Sequence, residues 1–323
     1  MKRRSLTLSA AALALAPLLG HAQQQAFPEK PITFVVPFAA GTATDQIARA
    51  LGNSITAETK QPVVIDNKAG ASGFIASQQA AKAAADGYTV LITTNTTHAA
   101  NEHLFKKLPY DPVKDYAPIT ALGKGGQIMV VNPSFPAKSV AEFVALAKKE
   151  PGKYSFGSGS SSSRMAGELL QQMADIKLLH VPYKSNTLAV TDLLGGQIHM
   201  MITDAATGLP QVKGGKLRAL GVSSAARSPL APDVPTISEA GVKGYEMGYW
   251  FAAYAPAKTP PAVVKRLNEL LVKAAKSDSA KTAFYEPTGT EVFTTSPEEL
   301  ARFQTAESQK WGRIVKAAGI EAE

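Results

Sequence analysis

The chain has 323 residues, 45% of them hydrophobic, a formal charge of +8 and no cysteine. The missing cysteine excludes disulfides, thiolate zinc sites, cysteine nucleophiles and a lipid-anchored N-terminal Cys. The basic excess is scattered among Asp and Glu with no run of four Lys or Arg, so the footprint of a nucleic-acid binder is missing while an anionic small ligand is compatible.

Lys2, Arg3 and Arg4 precede the apolar run Leu6 to Leu19, and Gly20-His21-Ala22 supplies small residues where a signal peptidase reads. Residues 1–22 therefore read as a secretory signal, and their removal takes the formal charge from +8 to +5. Arg3-Arg4-Ser5-Leu6 also resembles a twin-arginine signal, so both export routes stay open. No later stretch reaches the roughly 18 apolar residues of a membrane span. About 300 remaining residues suffice for a core without disulfides and commonly divide into two domains.

Strand-like runs alternate with helical patterns, which predicts a mainly parallel α/β architecture. Ile32 to Val36 reads as a buried strand stopped by Pro37. The small residues Ala39 to Thr44 then form a loop that Thr44 or Asp45 closes as N-cap of a helix running from Gln46 to about Thr59, followed by the strand Val63 to Asp66. The loop Asn67 to Gly73, a helix through Ala84, the turn Asp86-Gly87 and the strand Thr89 to Thr93 make a second unit. Beyond the irregular Leu108 to Pro112 come a strand Gln127 to Val131, a helix opened by the capping box Ser139 and Glu142 and running to Lys149, and a strand Tyr154 to Gly157. A serine-rich loop leads to a helix from Arg164 to Ala174, then the strand Leu178 to Val181, the helix Leu188 to Leu194 and the strands Met200 to Thr203 and Leu217 to Ser223. Gly248 to Ala255 reads as a long strand returning to the first lobe, followed by two surface helices, one from Thr259-Pro260 to about Lys276 and one from Ser296-Pro297 to about Ala318. The expected division is 23–125 with 246–323 as one lobe and 126–245 as the other, with a ligand cleft between strand ends.

Phe38 to Asp45 is the first candidate site, because a strand leading through small residues into a helix N-terminus presents unpaired N–H groups to an anion. Its residues Phe38, Ala40, Gly41, Thr42, Thr44 and Asp45 include no nucleophile, metal set or general base, so its natural use is to hold a carboxylate. Many α/β units carry such a turn without any ligand. Ser158, Gly159, Ser160, Ser161 and Ser162 occupy the same place in the second lobe, where a Gly/Ser run reads either as a flexible linker or as a facing anion loop. Thr94 and Asn95 belong to a third polar strand exit, and Tyr183 and Asp204 end strands of the second lobe; contact with ligand and an ordinary capping role are both open for these four. Hydrogen bonds to a charged group contribute roughly 1.5 to 3 kcal/mol each, so four of them reach the ~8 kcal/mol of micromolar binding without a salt bridge.

His98, Glu102 and His103 mimic a metal cluster, but the two histidines are five positions apart on a helix and face differently, so no metal is expected. The nucleophile elbow, the phosphate-binding loop, the dinucleotide fingerprint and the zincin motif are all absent, and no cofactor is expected.

Several segments resemble one known family over Phe27 to nearly the C-terminus. They are Pro28-Glu29-Lys30-Pro31-Ile32, Val36-Pro37-Phe38, Asp66-Asn67-Lys68-Ala69-Gly70-Ala71, Asp86-Gly87-Tyr88-Thr89 and Leu108-Pro109-Tyr110-Asp111-Pro112. His180-Val181-Pro182-Tyr183-Lys184, Asp192-Leu193-Leu194-Gly195-Gly196-Gln197, Pro232-Asp233-Val234-Pro235-Thr236 and Glu239-Ala240-Gly241 complete the set. The chain resembles the periplasmic solute-binding proteins of tripartite tricarboxylate transporters, the Bug family. The resemblance implies a two-lobed periplasmic-binding-protein (Venus flytrap) fold, a periplasmic location, a small organic carboxylate as ligand, membrane permease subunits as partners and a monomeric chain. It further implies that the loops matching Phe38 to Asp45 and Ser158 to Ser162 hold one ligand carboxylate, partly through ordered waters. Two departures fall near that site: Thr42 stands where the family usually has Gly, and Ser185-Asn186-Thr187 replaces a Gly-rich segment. A ligand-sensing component of a signalling system and a periplasmic hydrolase are the competing readings.

Overall fold

The computed structural model describes residues 27–317 and 319–322, so the expected signal sequence, residues 1–22, lies outside the described residues. The first unit is β1 (Ile32–Val36), α1 (Ala43–Thr59) and β2 (Val63–Asn67), followed by α2 (Phe74–Ala81), β3 (Thr89–Thr94), a π-helical turn over residues 96–100 and the one-turn α3 (Asn101–Leu104). Then come β4 (Tyr116–Val131), α4 (Val140–Lys149), β5 (Ser155–Ser158), α5 (Ser161–Ala174), β6 (Leu179–Pro182) and α6 (Asn186–Leu194). The remainder is β7 (Met200–Asp204), α7 (Ala205–Lys213), β8 (Arg218–Val222), β9 (Gly248–Pro256), α8 (Pro261–Lys276), the one-turn α9 (Asp278–Ala280) and α10 (Glu286–Thr288), and α11 (Pro297–Ala317).

Among the described residues the strands run in the order β2-β1-β3-β9-β4-β7-β5-β6, with β8 also paired on β4. Both ends of this sheet are parallel, as their βαβ units demand, but β9 is antiparallel to β3 and β4, and β4 is antiparallel to β7 and β8. The mainly parallel expectation is corrected at this centre. A chain that crosses from one half to the other and returns on the adjacent strand must run in opposite directions on the two passes, so the crossing pair is antiparallel.

The outward pass is β4, which pairs with β9 from Tyr116 to Gly126 and with β7 from Gln127 onward. Only its last five residues, Gln127 to Val131, read as a strand in the sequence. Pro118, Gly123, Gly125 and Gly126 depress local strand propensity, and pairing on the sheet overrides them, with register irregularities near Pro118 and Gly123. Small residues are also needed there: a Cβ on Gly125 would lie 2.5 Å from the Tyr249 hydroxyl oxygen.

The core follows the strand burial. Phe34, Val36, Val90 and Ile92 pack with Ile47 and Leu51 of α1 and with Leu267 and Leu271 of α8. Ile128, Val130 and Met201 pack with Val190 and Leu193 of α6. The two C-terminal helices lie on the surface as their mixed charge predicts, and α11 turns one apolar face inward through Leu300, Trp311 and Val315. Ser139 caps α4 by accepting from the Glu142 N–H at 3.2 Å, as the capping box predicts. The helix α7 had no counterpart in the sequence reading; Pro210 inside it hid the pattern.

His98 is drawn wholly into the core, its ring stacked on Tyr254 at 3.9 Å and its Nδ1 2.8 Å from Thr97 Oγ1. His103 pairs instead with Ser308, and the described residues hold no cluster suited to a metal. Burial pushes the His98 imidazole down to about 3, so it is neutral at ordinary pH. The unfolded chain protonates near 6.5, whereas the folded one resists; stability from the neutral ring is complete above that value and drains away as pH falls towards 3. Urea unfolding between pH 7 and 5 is expected to show His98→Phe losing about 1.4 kcal/mol per pH unit less than the wild type below pH 6.5, the difference vanishing above it. Parallel slopes would show that the ring stays hydrated.

Candidate functional site

The end of β1 and the start of α1 show how the first loop is shaped. Thr42 is the N-cap, with φ −73° and ψ 161°, and its hydroxyl donates backward to the Ala39 carbonyl at 2.7 Å rather than serving the helix. Neither Thr44 nor Asp45 is the cap, contrary to expectation. Both lie inside the first turn, and the Asp45 carboxylate reaches back to accept from the Gly41 N–H at 2.8 Å. No side chain caps α1, so its leading N–H groups keep their capacity to bind an anion.

Asp45 is fixed from three sides. Arg49 donates to it at 3.0 Å, and Asn67 Nδ2 bonds both Asp45 Oδ1 and the Phe38 carbonyl at 3.0 Å. Burial opposes the charge, but the hydrogen bonds from Arg49, Gly41 and Asn67 outweigh it and hold the carboxyl below its usual range. Asp45 thus shapes the loop.

In the second loop the helix begins three residues earlier than the sequence suggests, at Ser161 rather than Arg164. Ser160 is its cap, accepting from the Ser163 N–H at 3.2 Å, so the serines form a first turn rather than a linker. Gly159 donates its N–H to Asn186 Oδ1 at 2.9 Å, and Asn186 Nδ2 donates to Asp204 at 3.1 Å. Asp204 in turn caps α7, accepting from the Thr207 N–H and hydroxyl at 2.9 and 2.7 Å. This chain of bonds ties three strand exits of one half together.

The two loops face a common cavity of about 30 Å³. Of the residues expected from the sequence, Phe38, Thr42, Thr44, Thr94, Asn95, Gly159, Ser160, Ser162 and Asp204 line it. Ser158, Ser161 and Tyr183 do not; they line an adjoining depression of about 390 Å³ that shares Phe38, Gly159 and Ser160 with the cavity. Ser158 Oγ bonds His180 at 2.7 Å, Ser161 Oγ donates to Asn101 at 2.7 Å, and Tyr183 donates to Asp192 at 2.8 Å. Ala40, Gly41 and Asp45 line neither space. Ala43, Gln127, Asn186, Tyr249 and Phe251 also line the cavity and were missed. Gln127, Tyr249 and Phe251 come from the crossing strands, and nothing local in the sequence marks them. Asn186 carries a readable signal, since Ser185-Asn186-Thr187 departs from the Gly-rich pattern of the resembling family.

No Lys, Arg or His lines the cavity. Hydrogen bonds from Ser161 to Asn101 and between Thr96 and Ser162, the latter 3.4 Å, join its two sides. A frame of two α/β lobes joined by two adjacent crossing strands, with a small cavity at opposed strand exits, defines a solute-binding receptor of the periplasmic-binding-protein type.

Comparison with known proteins agrees. Residues 47–320 match the model of the tripartite tricarboxylate transporter family receptor. Protein BugT of Bordetella pertussis is 33% identical over 312 residues, covering 96% of this chain and 95% of that protein. A solved structure of R. palustris Rpa4515 with adipate is 34% identical, with a TM-score of 0.89 over 92% of this chain and all of that one. MatC of Rhodopseudomonas palustris with bound malate is 30% identical, with a TM-score of 0.84 over 90% of this chain and all of that one. The chain belongs to the tripartite tricarboxylate transporter receptor family, the Bug proteins, whose members are solute receptors rather than enzymes.

Gly159 has a role that no other residue can fill, because a Cβ there would lie 1.8 Å from the Ser185 carbonyl carbon and 2.1 Å from the Asn186 nitrogen. Gly159→Ala must push the second loop off its neighbour, and denaturant unfolding is expected to show a loss of about 1–3 kcal/mol. Gly195→Ala, whose nearest contact would be 3.6 Å, is the control and changes stability by only a few tenths of a kcal/mol.

Proposed function

We propose that this protein is a periplasmic receptor that captures a small organic carboxylate in the cavity between its lobes and hands it to the membrane subunits of a tripartite transporter. The observation that carries this reading is the uncapped start of α1 facing, across the shared cavity, the serine-lined start of α5. Anions are favoured at helix N-termini by the peptide dipoles and the free N–H groups together. A cavity with no basic residue among its described lining favours an acid held by main-chain donors and hydroxyls over a phosphate that calls for Arg or Lys. The family and the diacids in the two Rhodopseudomonas structures support the ligand class. Phe38, Ala43, Thr44, Ser160 and Ser162 would meet the carboxylate, with the lobes dividing at 23–125 with 246–323 against 126–245. The receptor acts as a single chain, exported by its signal sequence; among the described residues no helix is long and apolar enough to cross a membrane.

A thermal-shift screen of aliphatic and aromatic carboxylates tests this. At about 100 times Kd a ligand stabilises the fold by about 2.7 kcal/mol, which raises Tm by about 4 °C, and the acid is expected back unaltered. A flat screen, or a product, would refute the reading. With the best acid from that screen, Asp45→Ala is expected to weaken binding about tenfold by freeing the Gly41 N–H and the Asn67 tie, whereas Asp45→Asn, which keeps an acceptor for Gly41, loses less. Calorimetric titration of the two variants gives the comparison.

A further inference from the structure

Two buried side-chain oxygens in the cavity wall, Asn95 Oδ1 and Gln127 Oε1, have no hydrogen-bond partner. The other polar groups there are largely engaged. Thr42 donates to Ala39, Asn186 uses both ends of its amide on Gly159 and Asp204, and the Tyr249 hydroxyl pairs with Thr290 at 2.9 Å. Asn95 is wholly buried and its orientation is held, because Nδ2 donates to the Gly248 carbonyl at 3.2 Å; turning the amide over would set two carbonyl oxygens against each other. Its Oδ1 is therefore an obligatory acceptor. Gln127 carries no such tie and can present either end of its amide.

A solute whose only polar groups are carboxylates offers acceptors alone and would leave Asn95 Oδ1 desolvated, a cost that a solute bringing a donor avoids. We propose that the solute retained here is a hydroxy-substituted carboxylate and that Asn95 is the residue that selects it, an inference that rests on the carboxylate-receptor reading. The solute hydroxyl would donate to Asn95 Oδ1 and accept from the Gln127 amide. An ammonium fits less well: it brings three donors, whereas the wall offers two free oxygens and the Asp204 carboxylate already accepts from Thr207, Asn186 and Thr203. Selection by one buried acceptor is a strong device, because a solute lacking the donor leaves the acceptor unpaired.

Calorimetric titration of the purified chain with matched acids decides the matter: succinate, its 2-hydroxy, 2-oxo and 2-amino derivatives, and benzoate with its three monohydroxy isomers. The expected result is that a hydroxy acid binds at least about tenfold more tightly than its parent, and than the 2-oxo acid where that comparison applies, since a carbonyl there supplies an acceptor but no donor. In Asn95→Ala the preference is expected to shrink to within about twofold. The 2-oxo comparison needs only the wild type and stands whether or not the variant folds. Equal affinity across each set would mean that water satisfies Asn95 and would overturn the proposal, as would a preference that survives Asn95→Ala or a 2-amino acid that outbinds the hydroxy acid. If acids bind without regard to the hydroxyl, only this inference falls; if no acid of either kind binds, the carboxylate reading falls with it.

Discussion

The side-by-side crossing of β4 and β9, with Gly126 paired against Gly248, is the constraint on which the architecture turns. It joins the two halves of the sheet through a narrow, glycine-rich waist and brings the strand exits of one half opposite those of the other. The cavity lies between the β1–α1 and β5–α5 exits, and the crossing strands themselves supply Gln127, Tyr249 and Phe251 to its wall. Glycine is required along this waist because a Cβ on Gly125 would meet the Tyr249 hydroxyl and one on Gly126 would meet Ser224.

Each anion loop is held in shape by residues that do not line the cavity, or that line it with their hydrogen bonds already committed. On one side Asp45, Arg49 and Asn67 tie the backbone from Phe38 to Gly41. On the other, the Gly159–Asn186–Asp204 chain does the same. The main-chain donors to which we assign solute binding thus have positions fixed beforehand, which reduces the ordering cost that association must overcome. Such a design serves a receptor that must also release its cargo: several moderate hydrogen bonds, each about 1.5 to 3 kcal/mol to a charged acceptor, give affinity without the deep trap of a fully desolvated ion pair.

The polar interior around the cavity follows from the same logic. Thr93, Thr97 and His98 form a buried run of hydrogen bonds beneath the third strand exit, and Tyr254 covers the imidazole. Only a neutral ring is tolerated there, because nothing nearby compensates a charge. The core under the site is therefore polar yet uncharged, which keeps the field at the cavity dominated by the helix ends.

Much of this protein was legible in its residues alone. The alternation of strands and helices, the capping box at Ser139, the two strand-to-helix loops and the family resemblance all rest on local patterns of apolar spacing and turn chemistry, which survive in any tertiary context. The carboxylate-holding role proposed for Phe38 to Asp45 was inferred from what that loop lacks. What local pattern could not carry was anything decided by distant pairing. The stretch Tyr116 to Gly126 is a strand only because β9 lies beside it; Ser161 to Ser163 are helical because Ser160 caps them and Asn101 and Ile202 receive their hydroxyls. Asp45 reads as a cap in the sequence and is a loop clamp in the fold, since the backbone turns at Thr42 and points its carboxylate back to Gly41. The membership of Gln127, Tyr249 and Phe251 in one wall was set by tertiary structure alone, because a cavity is defined by which strand ends meet in space and sequence separation carries no record of that.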